Sequence, residues 1–156
     1  MELVYEVCLN YAQKFGRFYF KNLFLSGAPG LGKTFLSACI ARTVSENGHS
    51  VVYDTAGNVF AQFEARKFLR DSDDGREARD ETRRYLGCDL LILDDLGSEL
   101  TTQFTQSALY ELINGRLVGG KRTVISSNLS MEEAAVRYSP QIASRLEGEY
   151  HLLHFF

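Results

Sequence analysis

The stretch Gly27-Ala28-Pro29-Gly30-Leu31-Gly32-Lys33-Thr34 decides the fold. It fits G-x-x-x-x-G-K-[S/T] without a mismatch. Before it runs Asn22-Leu23-Phe24-Leu25-Ser26, apolar and of strand length. After it runs Phe35-Leu36-Ser37-Ala38-Cys39-Ile40-Ala41, spaced like a buried helix. Glycines let successive backbone N–H groups point into one concavity with no Cβ in the way. The helix N-terminus adds its partial positive charge. Gly27 through Phe35 therefore reads as a nucleotide-binding segment. Lys33 reaches the β- and γ-phosphates of ATP, and the Thr34 hydroxyl can ligate Mg²⁺.

Working outward, 156 residues with 45% hydrophobic content make one domain with room for a proper core. A net charge of −3 does not announce a nucleic-acid binder, although a local basic patch stays compatible with it. Cys8, Cys39 and Cys88 are odd in number and form no C-x-x-C pair, so neither a zinc site nor a disulfide framework is expected. All three read as buried free thiols. No apolar run approaches the ~18 residues that span a bilayer, and the N-terminus lacks a signal-peptide pattern, so the expected setting is cytoplasmic with no membrane partner.

The opening segment, Met1 to Lys14, has apolar residues at helical spacing. Four more strands are expected: Ser50–Asp54, Leu90–Asp94, Thr123–Ser127 and Tyr150–Phe155. The first three of these are nearly unbroken apolar runs, which is how parallel strands covered on both faces read. Helical patterns alternate with them over Thr34–Asn47, Thr55–Leu69, Thr101–Leu117, Ser130–Arg137 and Ser139–Leu146. That alternation predicts an α/β doubly wound sheet. Gly48 and the pair Gly119-Gly120 are expected as left-handed caps at helix exits. Arg66 to Arg84 stands apart: dense in both charges, with a turn-like Asp71-Ser72-Asp73-Asp74-Gly75, it is the least ordered stretch by composition.

Leu90-Leu91-Ile92-Leu93-Asp94-Asp95 has the Walker B form. Ligands of an open parallel sheet sit off the carboxyl ends of its strands, so Asp94 can meet the metal held by Thr34. Mg²⁺ keeps several waters, and Asp94 would reach it mostly through one of them. Asp95 is then placed to polarise the attacking water. Many P-loop ATPases carry Glu there, and the shorter Asp fits slow hydrolysis or a water-relayed mechanism. The strand Ile125-Ser126-Ser127 ends in Asn128, which can donate to a phosphoryl oxygen or hold the lytic water. Ser130 is the better candidate for capping the next helix, which leaves Asn128 free for that role.

Arg145 stands on a weakly charged helix, Ser139-Pro140-Gln141-Ile142-Ala143-Ser144-Arg145-Leu146. It can serve a neighbour's γ-phosphate, or pair on the surface with Glu147 or Glu149. For single-stranded DNA, Arg66, Lys67, Arg70, Arg76, Arg79, Arg83 and Arg84 could meet phosphates while Phe63, Phe68 and Tyr85 stack on bases. Seven interspersed carboxylates largely cancel that field. For adenine the candidates are Tyr11 and Phe15. A small-molecule kinase would need a mobile arginine-rich lid, and the segment after Walker B, Ser98-Glu99-Leu100-Thr101-Thr102-Gln103, runs instead into an apolar helix.

Together the P-loop with Phe35-Leu36, Leu90-Leu91-Ile92-Leu93-Asp94-Asp95-Leu96-Gly97, Ser127-Asn128-Leu129-Ser130 and Tyr138 to Leu146 resemble the AAA+ ATPases of the bacterial replicative helicase-loader family, DnaC/DnaI-like, with the transposition helper IstB as near kin. The resemblance spans Leu3 to Phe156. It implies a P-loop NTPase of the AAA+/ASCE kind, a three-layer sandwich whose parallel five-stranded sheet runs 5-1-4-3-2. It implies an ATP site shared between protomers by self-assembly, with Arg145 as the trans-acting finger and Arg116 as a lesser interface candidate. It also implies work on a DnaB-type helicase and single-stranded DNA in replication initiation, with ATP state controlling grip and release. Family members carry a helicase-binding domain ahead of this core, so residues 1–156 read as the AAA+ core lacking that domain and the extreme C-terminus. The alternatives are an IstB-like transposition helper or a slow ATP-gated binding module.

Overall fold

A computed structural model describes all 156 residues. In chain order it has α1 (Glu2–Gln13), β1 (Leu23–Ser26), α2 (Lys33–Glu46), β2 (Val51–Thr55), α3 (Ala56–Phe68), α4 (Asp73–Gly87), β3 (Leu90–Leu96), α5 (Gln103–Val118), β4 (Arg122–Ser127), α6 (Met131–Arg137), α7 (Pro140–Glu149) and β5 (His151–His154). The strands form one sheet ordered β2-β3-β4-β1-β5, every pair parallel. That is the expected 5-1-4-3-2 order read from the other edge.

Strand alternation explains the unbroken apolar runs. Leu90 and Ile92 of β3, with Leu23 and Leu25 of β1 and Val124 of β4, turn to one face, where α1 and α2 cover them. Leu91, Leu93, Phe24 and Ile125 turn to the other, beneath α3, α5 and α7. Two apolar cores on opposite faces of one sheet make a three-layer sandwich. Both faces draw on the same strands, so shifting a central strand by one residue would exchange its contacts with both layers.

Three expectations need correction. The charged stretch before Arg84 is not loose: Asp73–Gly87 is helical. Ser72 caps it by accepting from the Gly75 N–H at 3.1 Å, and Asp73 and Asp74 sit in the first turn, where carboxylates suit the helix dipole. Its buried stripe is Gly75, Ala78, Thr82 and Tyr85, helically spaced but with one large side chain, so composition hides the period. Among the cysteines, Cys8 and Cys88 are buried, but Cys39 is exposed. The buried residues of α2 are Lys33, Ser37, Ile40 and Val44, and Cys39 falls off that stripe. At helix exits Gly48 and Gly120 have φ of 91° and 68°, whereas Gly119 stays right-handed at −75°.

Candidate nucleotide site

The carboxyl ends of β1, β3 and β4 open onto a cavity of about 510 Å³. Lining it are Pro29, Gly30, Gly32, Lys33, Thr34 and Phe35 from the glycine loop and α2, Asp94 and Asp95 from β3, Ser126, Ser127 and Asn128 from β4, and Thr55 from β2. The loop shape depends on Gly27. Its φ of 150° would strain any L side chain, and a Cβ there would lie 2.5 Å from the Phe155 carbonyl oxygen at the end of the sheet's edge strand.

Lys33 is buried and folds onto its own loop, donating to the carbonyls of Gly27 at 2.6 Å and Ala28 at 2.7 Å. Burial pulls its ammonium below the ordinary lysine range, while Asp95 and Asp94 push it back up. A triphosphate arriving here meets a lysine already aimed along the loop. The Thr34 hydroxyl lies 3.3 Å from both carboxylate oxygens of Asp94. Hydroxyl and carboxylate oxygens beside a phosphate cradle are the donor set Mg²⁺ takes, so the residues fit the ion.

Asp94 is held more fully than the sequence suggested. Ser126 donates to its Oδ1, and Tyr53 donates to its Oδ2 at 2.9 Å. Burial, and then Asp94, raise the Tyr53 hydroxyl well above its usual range, which keeps it a donor. Neither residue was among the sequence candidates. Only register brings them in: Tyr53 lies beside Ile92, and Ser126 lies at the carboxyl end of β4.

Asp95 is the one non-glycine residue with positive φ, 60°, a conformation short polar residues tolerate best. The register slips between Leu93 and Leu96 at this point. Both carboxylates therefore line the cavity instead of falling on opposite faces. Asp95 accepts from Ser98 Oγ at 2.7 Å, and its N–H donates to Ser126 Oγ at 3.0 Å. Asn128 is set by pinned neighbours. Ser127 Oγ donates to the Leu96 carbonyl at 2.6 Å, and Ser26 Oγ to the Leu129 carbonyl at 2.8 Å. Ser130 does cap α6, in a capping box with Glu133, which leaves the exposed Asn128 side chain to the cavity.

The remaining candidates lie elsewhere. Arg145 is exposed on α7 and lines a different depression with Lys21, Asn22 and Arg122, at the amino ends of β1 and β4. It therefore lies away from this chain's own phosphate cradle. It makes no ion pair with Glu147 or Glu149. Arg116 is not an interface residue. It is 1% exposed and donates to Thr123 Oγ1 and to the carbonyls of Tyr85 and Arg122, a clamp across α4, α5 and β4. Tyr11 is equally buried, donating to the Lys21 carbonyl with its ring edge-on to Phe15 and Phe18. Neither Tyr11 nor Phe15 lines the phosphate cavity. Phe63 and Tyr85 are also core residues, closed to any base. Phe68 is exposed, and Lys67 lies over both its ring and that of Phe104.

Comparison with known proteins gives the family. Residues 18–144 match the family model described as IstB-like ATP binding protein. The chain belongs to that family. This IstB-like chain is 27% identical over 125 residues to YdaV of Escherichia coli K12, covering 80% of this chain and 48% of YdaV. In structure it is similar to the DnaC helicase loader, with a TM-score of 0.79 and 22% identity over 97% of this chain and 87% of that one. It is similar also to AMPPCP-bound DnaA from Aquifex aeolicus, with a TM-score of 0.77 and 26% identity over 99% of this chain and 46% of DnaA. The chain spans about half the length of YdaV and less of DnaA. The fold is that of the AAA+ P-loop proteins. No helix is long and apolar enough to cross a membrane.

Proposed function

We propose that this IstB-like domain binds and hydrolyses ATP with Mg²⁺ as a helicase-loader module, using the ATP state to control its hold on a ring helicase and single-stranded DNA. The observation that carries the reading is one cavity presenting Lys33, Thr34, Asp94, Asp95 and Asn128 at the carboxyl ends of three parallel strands. The backbone N–H groups of the glycine loop, which Pro29 alone lacks, cradle the phosphates, with Lys33 turning from the loop's carbonyls to the γ-phosphate. Thr34 and Asp94 hold Mg²⁺, which when bound offsets the charge of the β- and γ-phosphates. Asp95 orients and accepts a proton from the attacking water, and the Asn128 amide donates to the phosphoryl oxygens. Ser98 holds Asp95 by Oδ1 and leaves its other lone pairs for the water, and the side chain, a methylene shorter than the usual Glu, supports slow turnover. Arg145, away from its own cradle, suits delivery to a neighbour. DNA contact is best supported at the groove between α3 and α5, where Lys67 and Arg66 border Phe104, with the exposed Phe68 ring beside Lys67.

The family match favours a second reading, a transposition helper, which shares every nucleotide residue and differs in its partner. ATP turnover measured against protein concentration, with and without single-stranded DNA and a DnaB-type helicase, tests the first. Turnover per subunit that rises with concentration and responds to those partners supports it. A response to a transposase and none to the helicase moves the conclusion to the second, and no turnover under any condition removes hydrolysis from both.

A further inference from the structure

Asp94 receives three hydroxyls, and their distances separate their duties. Ser126 gives its single proton to Oδ1 and spends a lone pair on the Asp95 N–H, so it ties the carboxylate to the backbone beside it. Thr34 stands at 3.3 Å from both oxygens, a long contact that is shared between them. At Oδ2 the only short hydrogen bond is that of Tyr53, at 2.9 Å. Without it the carboxylate would hang from Ser126 by one oxygen, free to turn about its last torsion, which is broad for aspartate.

No other β2 side chain bonds the carboxylate. Thr55 pairs directly with Asp94 in the ladder, but its hydroxyl is held at the head of α3, accepting from the Asn58 N–H, and makes no hydrogen bond to Asp94. Asp54 is engaged by Tyr85 and Asn58. Only a long side chain two residues short of Asp94 on the adjacent strand, ending in a donor, reaches across. Tyr53 is also 38% exposed, so it is not a core side chain held in place by packing alone.

We infer that Tyr53 is a positioning residue for Mg²⁺: its hydroxyl fixes the Asp94 carboxylate in the orientation that receives the hydrated ion beside Thr34. The inference rests on the proposal that Mg²⁺ and ATP occupy this site. A carboxylate has room for about four hydrogen bonds. Three hydroxyls therefore leave Asp94 capacity for a water on the metal, and Tyr53 need not leave when the ion arrives. Hydrogen-bond partners of this kind are worth 10- to 100-fold in metal affinity in other sites.

The test is binding of a fluorescent ATP analogue titrated with Mg²⁺ and repeated in EDTA, on the wild-type chain, Tyr53→Phe and Tyr110→Phe. Tyr110 lies on α5 outside the cavity and serves as the control. Phenylalanine keeps the ring, so packing is preserved while the donor is lost. The ratio of affinity with Mg²⁺ to affinity in EDTA is expected to fall about tenfold in Tyr53→Phe and to stay at the wild-type value in Tyr110→Phe. Melting in EDTA separates a merely structural role, which would lower the transition and leave the ratio unchanged. An unchanged or raised ratio in Tyr53→Phe overturns the inference and leaves the site reading standing. A wild-type chain whose ATP affinity ignores Mg²⁺ overturns the site reading itself.

Discussion

At the scale of single residues, Lys33 and Asp95 divide binding from chemistry. Lys33 is the one cation lining the cradle and already points along it. Lys33→Ala removes charge-assisted hydrogen bonds to phosphate worth about 1.5–3 kcal/mol each, so ATP affinity is expected to fall by about 100-fold, readable by titration with a fluorescent analogue. Asp95→Asn keeps the shape and the Ser98 contact but cannot accept a proton. Binding is expected to persist while turnover drops by about 10²–10⁴, and turnover near the wild-type rate in that variant would take Asp95 out of the chemistry. The two residues were legible for different reasons. Lys33 follows from spacing alone, because the glycine loop dictates where the next charge falls. Asp95 follows from its place after an apolar run, but its left-handed backbone and the slip beside it follow only from how β3 meets β4. Tyr53 was illegible for a related reason: a hydrogen bond from β2 to β3 depends on sheet register, and no local pattern encodes register.

At the scale of elements, α4 shows what composition conceals. Its outward charges form i,i+3 pairs, Arg76 with Asp73, Arg83 with Asp80 and Arg84 with Glu81, each exposed and worth little. What holds the helix is its narrow inner stripe, and Gly75 is the tightest point on it. A Cβ there would sit 1.9 Å from the Leu69 carbonyl oxygen, where the chain leaving α3 crosses the start of α4. Gly75→Ala is therefore expected to destabilise by about 1–3 kcal/mol, as overpacking does, despite alanine's better helix propensity. Gly57→Ala in α3, with nothing within 4 Å, is expected to be neutral or to stabilise by about 0.5 kcal/mol. Urea midpoints for the pair would check both signs, and an equal response would mean that the α3–α4 crossing is looser than described. The central strands β1, β3 and β4 were legible because burial on two faces leaves continuous apolar runs, whereas the edge strands β2 and β5 are only partly buried. Arg116 is a different case: the resemblance offered it as a lesser interface candidate, and only the three-way meeting of α4, α5 and β4 shows it to be a clamp.

For the whole molecule, the separation of Arg145 from the phosphate cradle makes a prediction about assembly. A finger acting within one chain would have to reach the carboxyl ends of the strands, and Arg145 stands at their amino ends, exposed and without a carboxylate partner. An unpaired exposed arginine costs the fold nothing, so Arg145→Ala is expected to leave stability and monomer ATP binding unchanged. If a second copy presents this arginine to the γ-phosphate, the loss appears only where copies meet. Wild-type turnover per subunit should climb with protein concentration, while the variant stays at its dilute value, a difference of about 10³ or more at saturation if Arg145 works as arginine fingers do elsewhere. Mixing adds a sharper test. Arg145→Ala supplies an intact cradle and Lys33→Ala an intact finger, so each alone lacks the concentration-dependent rise and the two together should recover part of it at mixed interfaces. Recovery would require that one protomer's arginine serves another's ATP. Silence in the mixture, with wild type still rising with concentration, would assign the assembly dependence to some residue other than Arg145.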